Sequence, residues 1–287
     1  MNIKKAKHLG MCFGVKDAIN LAKDKAQESP LSILGQLVHN SGVVADLARR
    51  GIASVVDHET AQTPSLMITA HGTSDRKRQE LRQTSFAIHD ATCPLVHHAH
   101  RALQRLVTQG CHPVVIGVAG HIEVEGLIGD FDDASVVLTS ENIQSLPPKP
   151  RYGVVSQTTQ PIDRVRRLVA EIERCHPDSE VHFQDTVCQP TKNRQQAALD
   201  LAAESDIMIV IGGKNSNNTR ELLRTCSTRC DTVHHVQGPE DLEEQWFHDS
   251  DRVGVTAGTS TPDQQVDTVI KAIEQLDRRR RETRSAA

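Results

Sequence analysis

Short apolar runs alternate with amphipathic stretches of ten to fifteen residues along most of this chain. The clearest runs lie at 31–34, 66–70, 113–118, 152–156, 206–211 and 252–256. Helical patterns follow them or lie between them, at 15–26, 42–50, 95–109, 163–175, 194–204 and 262–276. A strand covered by helices on both faces reads as a continuous hydrophobic run. The alternation therefore predicts an α/β fold of parallel βα units. With 287 residues the chain is long for one core, and two or three domains are expected.

Three cysteines mark a repeated layout. Cys12 lies in Leu9-Gly-Met-Cys12-Phe-Gly-Val, Cys93 in Asp90-Ala-Thr-Cys93-Pro94, and Cys188 in Asp185-Thr-Val-Cys188-Gln-Pro190. The intervals between them are 81 and 95 residues. Each is followed by helix, strand, polar loop, helix, strand pair, second polar loop and helix. The first loops carry His39, His121 and Ser216, which lie 27, 28 and 28 residues after the preceding cysteine. The second carry His71, Thr158 and Ser260, at 59, 65 and 72.

The third repeat lacks a last strand, and the first has a surplus one at 3–8. If that strand completes the third unit, the chain closes into a pseudo-threefold ring of three similar α/β domains. These would span 12–92, 93–187, and 1–11 with 188–276, with 277–287 left as a flexible basic tail. The cysteines and polar loops would then face one central site, because ligands in such sheets sit beyond the carboxyl ends of the strands.

Composition narrows the function. The 33 basic and 37 acidic side chains leave a net charge of −4, so no general attraction to nucleic acid or anionic membrane is expected. Five Phe, one Trp and one Tyr offer few faces for stacking bases. No apolar run approaches the ~20 residues of a membrane span. Lys4, Lys5 and Lys7 are followed by too short an apolar stretch for a signal peptide, so a cytoplasmic protein is expected. Seven cysteines in such a chain point to metal or catalytic use rather than disulfides.

The Gly-rich phosphate motifs, H-E-x-x-H and C-x-x-C are all absent. Three thiolates at equivalent repeat positions suit a cubane iron–sulfur cluster with one iron left open. Spacing alone also allows three packing cysteines. Cys226 and Cys230, four apart, could share one helix face, but with Cys111 and Cys175 they read as packing residues, and His97, His98 and His100 as a solvated helix face. His39, His71, His121, Thr158, Thr159, Ser216, Asn217, Asn218 and Ser260 precede helices. Helix N-termini bind anions there, although Ser, Thr or Asn also serve as simple caps. Only Lys214 adds positive charge in these loops, which favours an anion held by directional hydrogen bonds. Glu123 is their one carboxylate: either a proton carrier or a first-turn helix acid.

Taken together, Gly-Met-Cys12-Phe-Gly-Val, Val-His39-Asn, Ala-His71-Gly, Asp-Ala-Thr-Cys93-Pro-Leu-Val, Gly-His121-Ile-Glu123-Val-Glu-Gly, Gln-Thr158-Thr, Cys188 with Asn-Arg-Gln195, Lys-Asn-Ser216-Asn-Asn218 and Thr-Ala-Gly-Thr-Ser260-Thr-Pro are similar to one family. Nearly the whole chain resembles the 4-hydroxy-3-methylbut-2-enyl diphosphate reductases. The resemblance implies a 4Fe-4S cluster on Cys12, Cys93 and Cys188, its fourth iron open to the substrate hydroxyl. It implies that His39, His71, His121, Ser216, Asn217, Asn218 and Ser260 bind the diphosphate. Thr158 would touch the substrate hydroxyl, and Glu123, aided by His121, would pass protons to it.

The implied reaction is reductive dehydroxylation to isopentenyl and dimethylallyl diphosphates, the last step of the methylerythritol phosphate route. A ferredoxin or flavodoxin-type donor would supply the electrons. Asn217 stands where members often have Ser, and Met11 where an aromatic is common. Gln189-Pro190 also departs from the usual residues after the third cysteine. Two other readings remain open at this point: a non-catalytic cluster-binding sensor or scaffold, and another three-cysteine 4Fe-4S enzyme resembling quinolinate synthase. Glu123 argues against the first, and the Ser216 and Ser260 loops against the second.

Overall fold

The computed structural model describes residues 1–248 and 251–285. β1 (Asn2–Lys5) leads to α1 (Phe13–Glu28). Then come β2 (Leu31–Leu34), α2 (Ser41–Arg49), β3 (Ala53–Val55), β4 (Ser65–Ile68), α3 (Asp75–Arg82) and β5 (Ala87–Asp90). The middle stretch holds α4 (Pro94–Thr108), β6 (His112–Ile116), α5 (Ile122–Ile128), β7 (Ser135–Val137), α6 (Ser140–Gln144), β8 (Arg151–Ser156), α7 (Ile162–Cys175) and β9 (Glu180–Phe183). The last holds α8 (Gln189–Ala203), β10 (Ile207–Ile211), α9 (Asn217–Cys226), β11 (Val233–Val236), β12 (Arg252–Ala257) and α10 (Asp263–Ser285).

The strands form three parallel four-stranded sheets, ordered β3-β2-β4-β5, β7-β6-β8-β9 and β11-β10-β12-β1. All three share one order, and β1 is the fourth strand of the last. The surplus strand does complete the third repeat, with Asn2 opposite Arg252 and Lys5 opposite Val255. It is shorter than expected. Ala6 still donates to the Val255 carbonyl, and the chain then turns at Gly10, whose φ of +73° suits glycine.

The chain packs as two compact units. One comprises Met1–Phe13, Val38–Gly42 and the chain from Gln189 onward; it holds the β11-β10-β12-β1 sheet. Ile207, Ile209 and Ile211 of β10 face Val266, Val269, Ile270 and Ile273 of α10. Met208 and Val210 point the other way, against Ala198 and Leu201 of α8 and Leu222 of α9. Alternate residues of one strand thus enter two apolar layers, as a doubly covered sheet requires. Each such buried Val, Leu or Ile contributes about 1.5–3 kcal/mol.

The other unit comprises Gly14–Leu37 and Val43–Cys188 and holds the remaining two sheets. Val114, Ile116 and Val154 meet Val165, Leu168 and Ile172 of α7. Val115 and Val155 meet Ala99, Ala102 and Leu103 of α4.

Three local expectations are corrected. The run expected as a flexible tail continues α10 to Ser285; residues 286–287 lie outside the described residues. No Gly or Pro follows Leu276 to stop the helix, and Asp277 binds both the Met1 ammonium at 3.1 Å and Arg281 one turn on at 2.9 Å. Of the α4 histidines only His98 is exposed, and burial pushes His100 down to about 4. Cys226 and Cys230 do not share one helix: α9 ends at Cys226, and Cys230 sits buried in the turn beyond it.

Candidate active site

One hydrogen bond recurs at all three repeated cysteines. Each backbone N–H donates to a carbonyl in a second polar loop: Cys12 to Thr259 at 3.2 Å, Cys93 to Ala70 at 3.1 Å, and Cys188 to Thr158 at 3.0 Å. Each cysteine therefore leans on the loop at the end of β12, β4 or β8. Cys12, near the chain's start, takes its bond from the last repeat. Two of these anchors extend into a relay. In one, Asn218 Oδ1 accepts the Thr259 N–H at 2.9 Å. In the other, Glu123 Oε1 accepts the Thr158 N–H at 2.6 Å.

The two relays are repeat equivalents. Asn218 follows Glu123 by 95 residues, and Ser216 follows His121 by the same interval, which also separates Cys188 from Cys93. Ser216 and His121 are the N-caps of α9 and α5. The scaffold is thus shared, but one relay carries a neutral amide and the other an acid.

In the unit holding Cys12, the Ser260 hydroxyl donates to the His39 carbonyl at 3.4 Å, and Asn40 Nδ2 donates to Gln265 at 2.9 Å. Gly213 packs directly against the His39 carbonyl, where no side chain would fit. Burial, and then the Arg220 guanidinium, hold the His39 imidazole below its usual range. Ser216, Asn217, Asn218 and Ser260 are all buried, and Asn217 Nδ2 has no hydrogen-bond partner. A buried NH₂ without an acceptor is costly, and a bound anion would satisfy it.

In the other unit His71 and His121 meet edge to face, with ring centroids 5.6 Å apart. His121 Nδ1 accepts the Glu123 N–H at 3.1 Å, so the neutral ring carries its proton on Nε2. Glu123 lies in the first turn of α5 and is only 2% exposed. Burial pushes its carboxyl up to about 7, against the lowering effect of the Thr158 hydrogen bonds. A carboxyl balanced near neutral pH can both hold and release a proton.

The cysteines also sort by environment. Cys12, Cys93 and Cys188 are half-buried and immediately precede α1, α4 and α8. Cys111, Cys226 and Cys230 are buried; burial raises the Cys111 thiol and pushes Cys226 up to about 12. The first set has the donor chemistry for an iron–sulfur group, and burial sets Cys111 and Cys226 apart from it.

Some supporting residues, among them Asp90, Gln157 and Arg194, lie within the motifs quoted above but were given no role there. Arg194 is buried, and its guanidinium donates to the Gly10 carbonyl at 2.9 Å, two residues before Cys12. Gln157, fully buried, accepts the Val118 N–H at 3.2 Å and braces the loop before His121. Arg78 pairs with Asp90 at 3.0 Å, and Asp90 accepts the Thr92 N–H beside Cys93. Asp185 accepts the Val187 N–H beside Cys188 in the same way, so the Asp-x-x-Cys pattern is one turn used twice.

Three like parallel sheets, thiols that start helices and the buried Glu123 carboxyl fit an α/β protein of the iron–sulfur reductase class. The LytB protein family model matches residues 3–274, and the chain belongs to that family. Proteins named 4-hydroxy-3-methylbut-2-enyl diphosphate reductase match nearly end to end. That of Geobacter sulfurreducens is 36% identical, covering 98% of this chain and 100% of the relative. That of Aquifex aeolicus is 35% identical, covering 94% and 95%.

A solved structure titled as (E)-4-hydroxy-3-methyl-but-2-enyl diphosphate reductase, the terminal enzyme of the non-mevalonate pathway, superposes with a TM-score of 0.70. It is 35% identical and covers 96% of this chain and 99% of that one. The Plasmodium falciparum reductase structure shares the fold at a TM-score of 0.86, with 24% identity, covering 94% of this chain and 87% of that one. No helix among the described residues is long and apolar enough to cross a membrane.

Proposed function

We propose that this chain reduces 4-hydroxy-3-methylbut-2-enyl diphosphate to isopentenyl and dimethylallyl diphosphates, the last step of the methylerythritol phosphate route. The allylic C–O bond breaks, a C–H bond forms, and two electrons and two protons are consumed as water leaves. Cys12, Cys93 and Cys188 would hold a 4Fe-4S cluster, which when bound supplies a Lewis-acidic open iron and a path for electrons.

The chain's own groups do the rest. His39, His71, His121, Ser216, Asn217, Asn218 and Ser260 bind the diphosphate through directional donors, without a lysine cluster. The Thr158 hydroxyl orients the substrate hydroxyl, and Glu123 holds the proton delivered to it. Electrons come from a ferredoxin or flavodoxin-type protein in the cytoplasm.

The observation that carries this reading is the buried Glu123 carboxyl, poised at about 7 on the Thr158 that also anchors Cys188. A sensor or scaffold needs no such acid. The test is anaerobic purification, with iron and sulfide measured per chain, followed by assay of diphosphate reduction. About four of each with turnover supports the reading. A full cluster without turnover returns the sensor, and zinc or no metal after reconstitution removes the cluster altogether. Thermal protection by inorganic diphosphate separately tests the anion site.

A further inference from the structure

Gly14 is the second residue of α1 and is buried. A Cβ built there would lie 2.6 Å from Cys93 Sγ and 3.1 Å from its Cβ. Carbon and sulfur do not approach so closely without displacement; comfortable non-bonded contacts lie near ~3.5–4.0 Å. The Gly14 φ is not in the left-handed region, so backbone conformation does not ask for glycine. Glycine is also a poorer helix former than alanine. What requires its bare Cα is the sulfur.

Cys93 has little room to yield. Its N–H is tied to Ala70, and its carbonyl accepts the N–H groups of Val96 at 2.9 Å and His97 at 3.0 Å. The residue before it, Thr92, is held by Asp90 and by the Arg78 guanidinium at 3.2 Å. The residue after it is Pro94. The sulfur therefore sits at the start of its own helix α4 and against the first turn of α1. The N–H groups of a first turn lack intrahelical acceptors, and that end of a helix favours negative charge.

We propose that Gly14 is a positioning residue for the Cys93 sulfur. Its missing side chain lets the start of α1 close on the sulfur and holds it where a cluster iron can be ligated. The iron-ligand part rests on the function proposed above; the sulfur contact does not.

The test uses the full chain. In metal-free protein, Gly14→Ala should lower the melting temperature by roughly 5 °C. In a Cys93→Ala background, where the sulfur is gone, the same change should cost far less. Equal losses in both backgrounds overturn the proposal. If Gly14→Ala does not fold with Cys93 present, folding of the double variant supports the contact, and failure of both overturns it.

After anaerobic reconstitution, Gly14→Ala should lose half or more of the iron and sulfide, or shift the EPR signal of the reduced protein. Gly42→Ala is the control, because a Cβ there meets nothing nearer than 3.4 Å. Unchanged iron load and EPR in Gly14→Ala overturn the positioning role. If the wild-type chain itself takes up no iron, the functional reading fails, while the melting comparison still decides the contact.

Discussion

Glu123 Oε1 accepts the backbone N–H of Thr158 at 2.6 Å, and both residues lie almost wholly out of solvent. The bond places the site's acid on the same residue whose carbonyl anchors Cys188. The Glu123 carboxyl and the Cys188 backbone are thereby both positioned by one turn after β8.

Glu123→Gln preserves shape and one acceptor but cannot release a proton as a carboxylic acid does. The variant should keep its iron and its substrate affinity and lose ~10²–10⁴-fold in turnover with a chemical reductant. Wild-type turnover in that assay would remove Glu123 from proton delivery.

The raised Glu123 carboxyl also links stability to pH. The ordinary carboxyl value of 4.5 rises to about 7 in the fold, so between those values the folded state binds more protons than the unfolded one. This contribution is present below pH 4.5 and is lost as pH rises toward 7, on the order of 3 kcal/mol in all. Unfolding midpoints measured from pH 5 to 8 should therefore fall less steeply in Glu123→Gln than in wild type. Parallel curves would contradict the burial effect.

His121 has two separable tasks: Nδ1 caps α5, and in the function proposed above the ring also donates to the diphosphate. Asn can replace the cap but not the distant donor. His121→Asn should keep the melting temperature and raise KM, whereas His121→Ala should also lose about 1 kcal/mol of stability. Equal stability of the two variants would show that the cap contributes nothing.

Arg194 secures the Gly10 carbonyl and, at 3.0 Å, the Pro190 carbonyl. Arg194→Met leaves a carbonyl without its donor and should cost about 1–3 kcal/mol in chemical denaturation. Arg194→Lys should recover only part, because a single ammonium does not reproduce the planar fork. Full recovery with Lys would reduce the site to a charge requirement.

The secondary structure was legible where it was buried. β2, β4, β6, β8, β10 and β12 are mainly apolar and almost wholly buried, and each lies within two residues of its expected limits. The edge strands β5 and β9 hold only exposed and half-buried residues over four positions and leave no such run. α8 begins at Gln189 rather than near 194, because Pro190 in the first turn loses no intrahelical bond.

Sequence alone determined the repeat of cysteines and polar loops, the closure of the third sheet by β1, and which residue types could serve as ligand, anion donor or acid. These follow from periodicity and spacing, which are properties of the chain itself. The tertiary structure decided that Cys93 Sγ lies against Gly14, that Arg194 holds Gly10, and that Thr158 carries both Glu123 and Cys188. It also decided the proton affinity of Glu123, because loss of water and a hydrogen bond from a residue 35 positions away set that value. Desolvation and long-range contact exist only once the chain has folded, so no local pattern could announce them.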